Sequence, residues 1–133
     1  MCQENPVAVR GQAFAVEWAR DARGQCPARD FFNALDDADK AKMLALFGRL
    51  ATTGRIASRE NFRQLGRQAK GEARGLWEFK KFQLRFLGDY RSGRRFVIAL
   101  GLRKKQDDHS PADIEKAVRI LRENDAATEA HRR

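Results

Sequence analysis

Cysteine is nearly absent from this chain: Cys2 and Cys26 are the only two in 133 residues. Such a pair makes no disulfide framework, and neither cysteine has the neighbouring His or second Cys of a metal site. Histidine is equally scarce, with His109 and His131 far apart in sequence, and the carboxylates show no clustered metal-ligand spacing. No metal and no other cofactor is therefore expected. Long apolar runs are missing too. None approaches the roughly 18 residues of a membrane span, and the opening MCQENPVAVR lacks the apolar stretch of a secretory signal. The expectation is a cytoplasmic protein in a reducing compartment, with no membrane partner. No internal repeat or low-complexity segment is present.

Acidic residues are also scarce, but only in the middle of the chain. Residues 55–105 carry fifteen Lys and Arg against four Asp and Glu, whereas residues 1–54 balance seven with seven and residues 106–133 are net −2. The formal charge of +9 is thus confined to one stretch. A concentrated field of one sign draws polyanions and speeds their arrival, so nucleic acid is the first partner to consider. What is abundant is apolar material, 42% of residues with nine Phe, enough for a core without staples. The length suits one domain. We divide the chain into a loose tail over 1–11, a single domain over 12–124 and a polar tail over 125–133.

Periodicity orders the domain. Phe14, Val16 and Trp18 alternate as a short strand. Pro27 suits the first turn of a helix carrying Phe31, Phe32 and Leu35. Asp36–Asp39 caps a second helix with Met43, Leu46, Phe47 and Leu50 at i, i+3, i+4, i+7, closed by Gly54. Residues 55–75 are Arg-rich and read as an irregular connection. From Leu76 the period becomes strand-like. Trp77 and Phe79 share one parity, Glu78 and Lys80 the other, and Phe82, Leu84 and Phe86 alternate with Gln83 and Arg85. A turn at Arg91–Arg94 leads to Phe96–Leu102, apolar on both faces as a central strand is. Ser110 and Pro111 open the last helix, with Ile114, Ala117, Val118 and Leu121 on its apolar stripe. The fold class is α+β: an antiparallel-rich sheet, made of one N-terminal strand plus a three-stranded meander, packed on a helical hairpin and followed by a C-terminal helix. One sheet face is expected to stay at least partly open and to carry Glu78, Lys80 and Arg85.

Four short motifs in order resemble the RelE/ParE superfamily of bacterial toxins from type II toxin–antitoxin pairs, most closely its HigB-like branch. That family has a Leu-aromatic-Glu-Leu-Arg strand, a Tyr-Arg-Val-like strand, an apolar strand ending in His-Gly-Phe-x-Lys-Lys, and a Pro-x-x-Glu-Ile-x-x-Ala helix. Here the matching stretches are LWEFK (Leu76–Lys80), LRFL with Arg85, LGLRKK with Gly101, Lys104 and Lys105, and PADIEKA with Pro111 and Ala117. The matched blocks run from about Leu65 to Leu121. Lys80 stands where the family usually has Arg, Leu100 where many members have His, and Leu102 where they have Phe. Asp107, Asp108 and His109 fall where many have Gln-Lys-Thr. These departures leave the fold reading intact and bear on the catalytic set.

The resemblance implies a toxin that is a ribosome-dependent mRNA endonuclease, inhibiting translation and neutralised by a cognate antitoxin. Such an enzyme needs no metal, because the RNA 2′-hydroxyl attacks the adjacent phosphorus. The protein must align that oxygen, move protons and stabilise charge on phosphorus. On this reading Arg85 and Lys80 contact the phosphate, Lys104 and Lys105 act as acid/base or phosphate groups, and Glu78 orients a lysine or accepts a proton. His109 is the one conventional acid/base side chain. Arg63, Arg67, Lys70, Arg74, Lys81, Arg94, Arg95 and Arg103 would dock on RNA and the ribosome. The residues alone leave other readings open. The sheet charges can be a solvated face, and the same fold serves ParE-like poisons of DNA gyrase, which cleave no RNA, or an inactive RNA-binding relative.

Overall fold

Two apolar layers sandwich one twisted sheet, and the alternating residues of its strands supply both. The computed structural model describes residues 4–66, 75–104 and 109–132. In chain order the elements are β1 (Val7–Arg10), β2 (Ala15–Trp18), α1 (Pro27–Asn33), α2 (Asp37–Thr53), β3 (Phe62–Gln64), β4 (Trp77–Lys81), β5 (Leu84–Arg91), β6 (Arg95–Arg103) and α3 (Pro111–Arg132). The spatial order of the strands is β1-β2-β6-β5-β4-β3. The β2–β6 pair is parallel; the four other pairs are antiparallel.

The helix ends follow from their sequences. Asp36 accepts a 2.8 Å hydrogen bond from the Asp39 N–H, and Gly54 ends α2 in the left-handed region at φ 81°. Pro27 opens α1, and Ser110 Oγ accepts from the Asp113 N–H at 3.2 Å just before Pro111 opens α3. The first layer sits under α1 and α2. There Phe47 packs edge-on against Phe79 and Phe86, with ring centroids 4.8 and 5.4 Å apart. The second layer sits under α3, where Ile114, Ala117, Ile120 and Leu121 meet Leu87, Val97, Ala99 and Leu100. The run Phe96–Leu100 is buried on both faces because β6 lies between β2 and β5 and beneath helices on each side.

Five expectations are corrected. Residues 7–10 are not a loose tail but the edge strand β1, tied to β2 by backbone hydrogen bonds that ask little of side chains. The irregular connection contains β3, whose Phe62 and Arg63 pair with Phe79 and Glu78 of β4. The sheet has six strands, where four were expected. Its second face is more closed than expected: α3 packs on β6 and β5, and Glu78 and Arg85 are buried there, while Lys80 stays half-buried. Residues 125–132, expected as a polar tail, continue α3. Arg91 holds Asp125 through two nitrogens, at 2.8 and 3.0 Å, which anchors that half of the helix to β5. Beside this pair, burial pushes the Asp89 carboxyl above its ordinary range, against the pull of Arg91.

The join of β5 and β6 tolerates no extra atom. The register shifts between Leu87 and Gly88. A Cβ on Gly88 would overlap the Val97 carbonyl oxygen and lie 2.9 Å from the Phe96 ring. Because the first obstacle is backbone of the central strand, relief requires a shift of the ladder. Gly88→Ala is expected to destabilise by about 2–3 kcal/mol, read as a lower urea midpoint with an unchanged m-value. A midpoint unchanged within error would show that the strands separate there at little cost.

Candidate functional site

The polar parity of β4 and β5 converges on one buried carboxylate. Glu78 lies between Arg63 on β3 and Leu87 on β5, and its side chain points to the α3 face. It is fully buried. Arg63 Nε donates to its Oε1 at 3.1 Å, Arg85 Nε lies 3.9 Å from its Oε2, and His109 Nε2 bonds the same oxygen. His109 reaches Glu78 from the segment that leads into α3, so helix docking and the polar cluster form together. A buried carboxylate is tolerated only when its charge and lone pairs are met, and here three cationic or imidazole groups meet it.

Arg85 is 2% exposed. Its Nη1 donates to the carbonyls of Phe82, at 2.6 Å, and Leu84, at 3.0 Å. The guanidinium thereby ties the polar cluster to the β4–β5 turn. Lys80 stands directly opposite Arg85 in the ladder, and Leu102 faces Arg85 from the other side. Lys104 continues that edge: its N–H donates to Gln83 O at 2.7 Å. Two residues past Leu102, it is a diagonal neighbour of Arg85, roughly 7–8 Å away by sheet geometry. Lys104 Nζ lies 3.5 Å from Asp113 in the first turn of α3. The cluster therefore has a buried layer of Glu78, Arg85 and His109, and an outer layer of half-buried Lys80 and Lys104.

The other expected residues divide by position. Arg63, expected as a docking contact, belongs to the cluster through Glu78. Lys81 and Arg103 lie at the same end of the sheet, with Arg103 3.7 Å from Asp39. Arg94 and Arg95 do not join them. They sit at the opposite end of β6, about 26 Å from Arg103 at the usual rise per residue, and Arg95 is paired with Glu17 at 3.1 Å. Arg67, Lys70, Arg74, Lys105, Asp107 and Asp108 lie outside the described residues. Among the described residues, no group of three or more His, Cys, Asp and Glu is placed to hold a metal, and no helix is long and apolar enough to cross a membrane. Cys26 is buried, and that burial pushes its thiol up, away from the reactive thiolate.

Two features escaped the sequence reading. Asp113 is one: its N–H donates to the Ser110 cap, and its carboxylate faces Lys104. Phe82 was read as a strand residue of the aromatic alternation, but it forms the β4–β5 turn with Gln83, at φ 54° and 66% exposed. No Gly, Asn or Asp marks that turn, so the usual turn signal is missing.

Comparison with known proteins adds a family. The pattern of the phage-derived Gp49-like proteins (DUF891) matches residues 30–122, which span α1 to α3 and the whole cluster. No curated protein matches the chain. Among solved structures, the toxin–antitoxin complex RelBE2 from Mycobacterium tuberculosis is similar at 16% identity and a TM-score of 0.44, covering 80% of this chain and 100% of that one.

Proposed function

This chain belongs to the phage-derived Gp49-like family, and from that premise we propose that it is the toxin of a type II toxin–antitoxin pair, a RelE-type endoribonuclease that cuts mRNA on the ribosome without a metal. The observation that carries the reading is the two-layered cluster at one end of the sheet. Its outer lysines offer charge to a phosphodiester, and its buried layer holds a carboxylate–imidazole pair beside an arginine. In-line attack by a 2′-hydroxyl asks for charge on the phosphorane to be met and for protons to be moved, and these side-chain types supply both.

Lys80 and Lys104 take the phosphate oxygens through charge-assisted hydrogen bonds. Glu78 orients His109 through Nε2, as a carboxylate orients an imidazole in other acid–base pairs. Arg85, buried, acts on the substrate through position: it holds the Phe82 carbonyl and balances Glu78. A cognate antitoxin is the expected protein partner. The test is inducible expression in a bacterial host with mapping of RNA 5′ ends. The expected result is arrested growth with new ends inside codons of translated messages. Intact transcripts together with a DNA-damage response would overturn it and indicate a gyrase poison instead.

A further inference from the structure

A cleft of about 630 Å³ opens beside the cluster, lined by Arg59, Glu60 and Arg63 on one side and by Lys80, Lys81 and Phe82 on the other. It holds four cations against one acid. Phe82 stands at its rim in a conformation that favours glycine: the first residue of a two-residue hairpin turn, at φ 54°. An L side chain is strained there. Phe82 also leaves most of its ring in water, with Lys42 Nζ 4.7 Å and Lys81 Nζ 5.5 Å from the ring centroid. A strained, exposed aromatic is doubly unfavourable for folding, and strain of this kind gathers at functional sites. Arg85 holds the backbone of the turn in place through the Phe82 carbonyl, so the Cα that carries the ring is fixed near Lys80.

We infer that this cleft is a nucleotide subsite: the cations take the backbone phosphate next to the scissile one, and an unpaired base stacks on Phe82. Single-stranded RNA needs a cationic track and an aromatic face together, and stacking tolerates any base. Lys80 and Arg63 are shared between the cleft and the Glu78 cluster, so one strand can cross both without a break. An acidic peptide would use the cations but leave the ring without a purpose. The inference takes from the reading above that the substrate is RNA.

The test separates stacking from charge and from cleavage. A short 2′-O-methyl oligoribonucleotide, which lacks the attacking hydroxyl, is titrated with the purified full chain and followed by fluorescence anisotropy, with heparin and polyglutamate as comparison polyanions. Phe82→Ala is expected to weaken oligonucleotide binding about tenfold and leave heparin binding unchanged. Phe82→Trp retains oligonucleotide binding. Phe82→Gly raises the unfolding temperature while weakening that binding, a combination that a purely structural role does not give. The inference is overturned if the wild-type chain does not bind the oligonucleotide, if Phe82→Ala changes neither ligand or both equally, or if polyglutamate binds with the same dependence on Phe82. Phe82-dependent binding without cleavage in cells would refute the nuclease reading alone. Cleavage with Phe82-independent binding would refute this subsite alone.

Discussion

Glu78→Ala is expected to lower folding stability by about 3–5 kcal/mol, a large share of the ~5–15 kcal/mol that holds a domain together. The carboxylate is fully buried, and Arg85 beside it is 2% exposed. Removing the anion takes from Arg63, Arg85 and His109 the carboxylate that all three contact. Loss of the partner, rather than loss of a favourable bond, sets the size of the effect: an uncompensated buried charge costs far more than a matched pair contributes. The same reasoning predicts non-additivity. Glu78→Leu combined with Arg85→Met removes both charges and should recover much of the stability that either single change loses. Thermal unfolding followed by circular dichroism checks both, with a drop of roughly 10–20 °C expected for the single variant. A drop of only a few degrees would mean that water reaches the cluster and the carboxylate is not needed to balance it.

Lys104→Ala and Lys80→Ala are each expected to reduce mRNA cleavage by about 10²–10³, the usual consequence of removing one donor to a charged transition state. Both side chains are half-buried and belong to the outer layer, so neither change disturbs the apolar core. Lys104→Ala removes the ion pair to Asp113 but leaves the Ser110 cap of α3 in place. Unfolding temperature should therefore stay within a few degrees while toxicity on induction disappears. That separation of activity from stability distinguishes the lysines from Glu78 and Arg85, whose loss acts through folding as well. Full toxicity in both lysine variants would show that the cluster is not the site. Arg94→Ala, in the turn at the opposite end of β6, serves as the comparison that leaves cleavage of bound message unaffected.

Much of the architecture was legible because it is written in periodicity. The 3.6-residue stripe of Met43, Leu46, Phe47 and Leu50, the cap at Asp36, the turn around Gly93 and the unbroken apolar run of β6 each appear where their chemistry requires. What was not legible lies where backbone pairing or packing decides. β1 and β3 are short edge strands whose side chains carry no clear alternation; they exist because the neighbouring strand offers free N–H and C=O groups. The open polar face was misjudged for a related reason. Glu78, Lys80 and Arg85 have the alternation of a solvated surface, and nothing in the spacing shows that His109 closes on Glu78 or that α3 packs on the same face.

Taken alone, the amino-acid sequence determined which residues share a face in β2, β4 and β5, where the main helices begin, and that the positive charge gathers in one stretch. These are local properties, set by dihedral periodicity and by side-chain type, and they survive in any fold that buries the same parity. Only the tertiary structure decided that His109 closes on Glu78, that Arg63 belongs with the cluster while Arg94 and Arg95 do not, and that Phe82 leaves the core for the rim of a cationic cleft. Those facts depend on contacts between residues 3 to 78 positions apart. Sequence spacing holds no information about which of two charged groups is brought within reach; the order of strands in the sheet and the docking of α3 do.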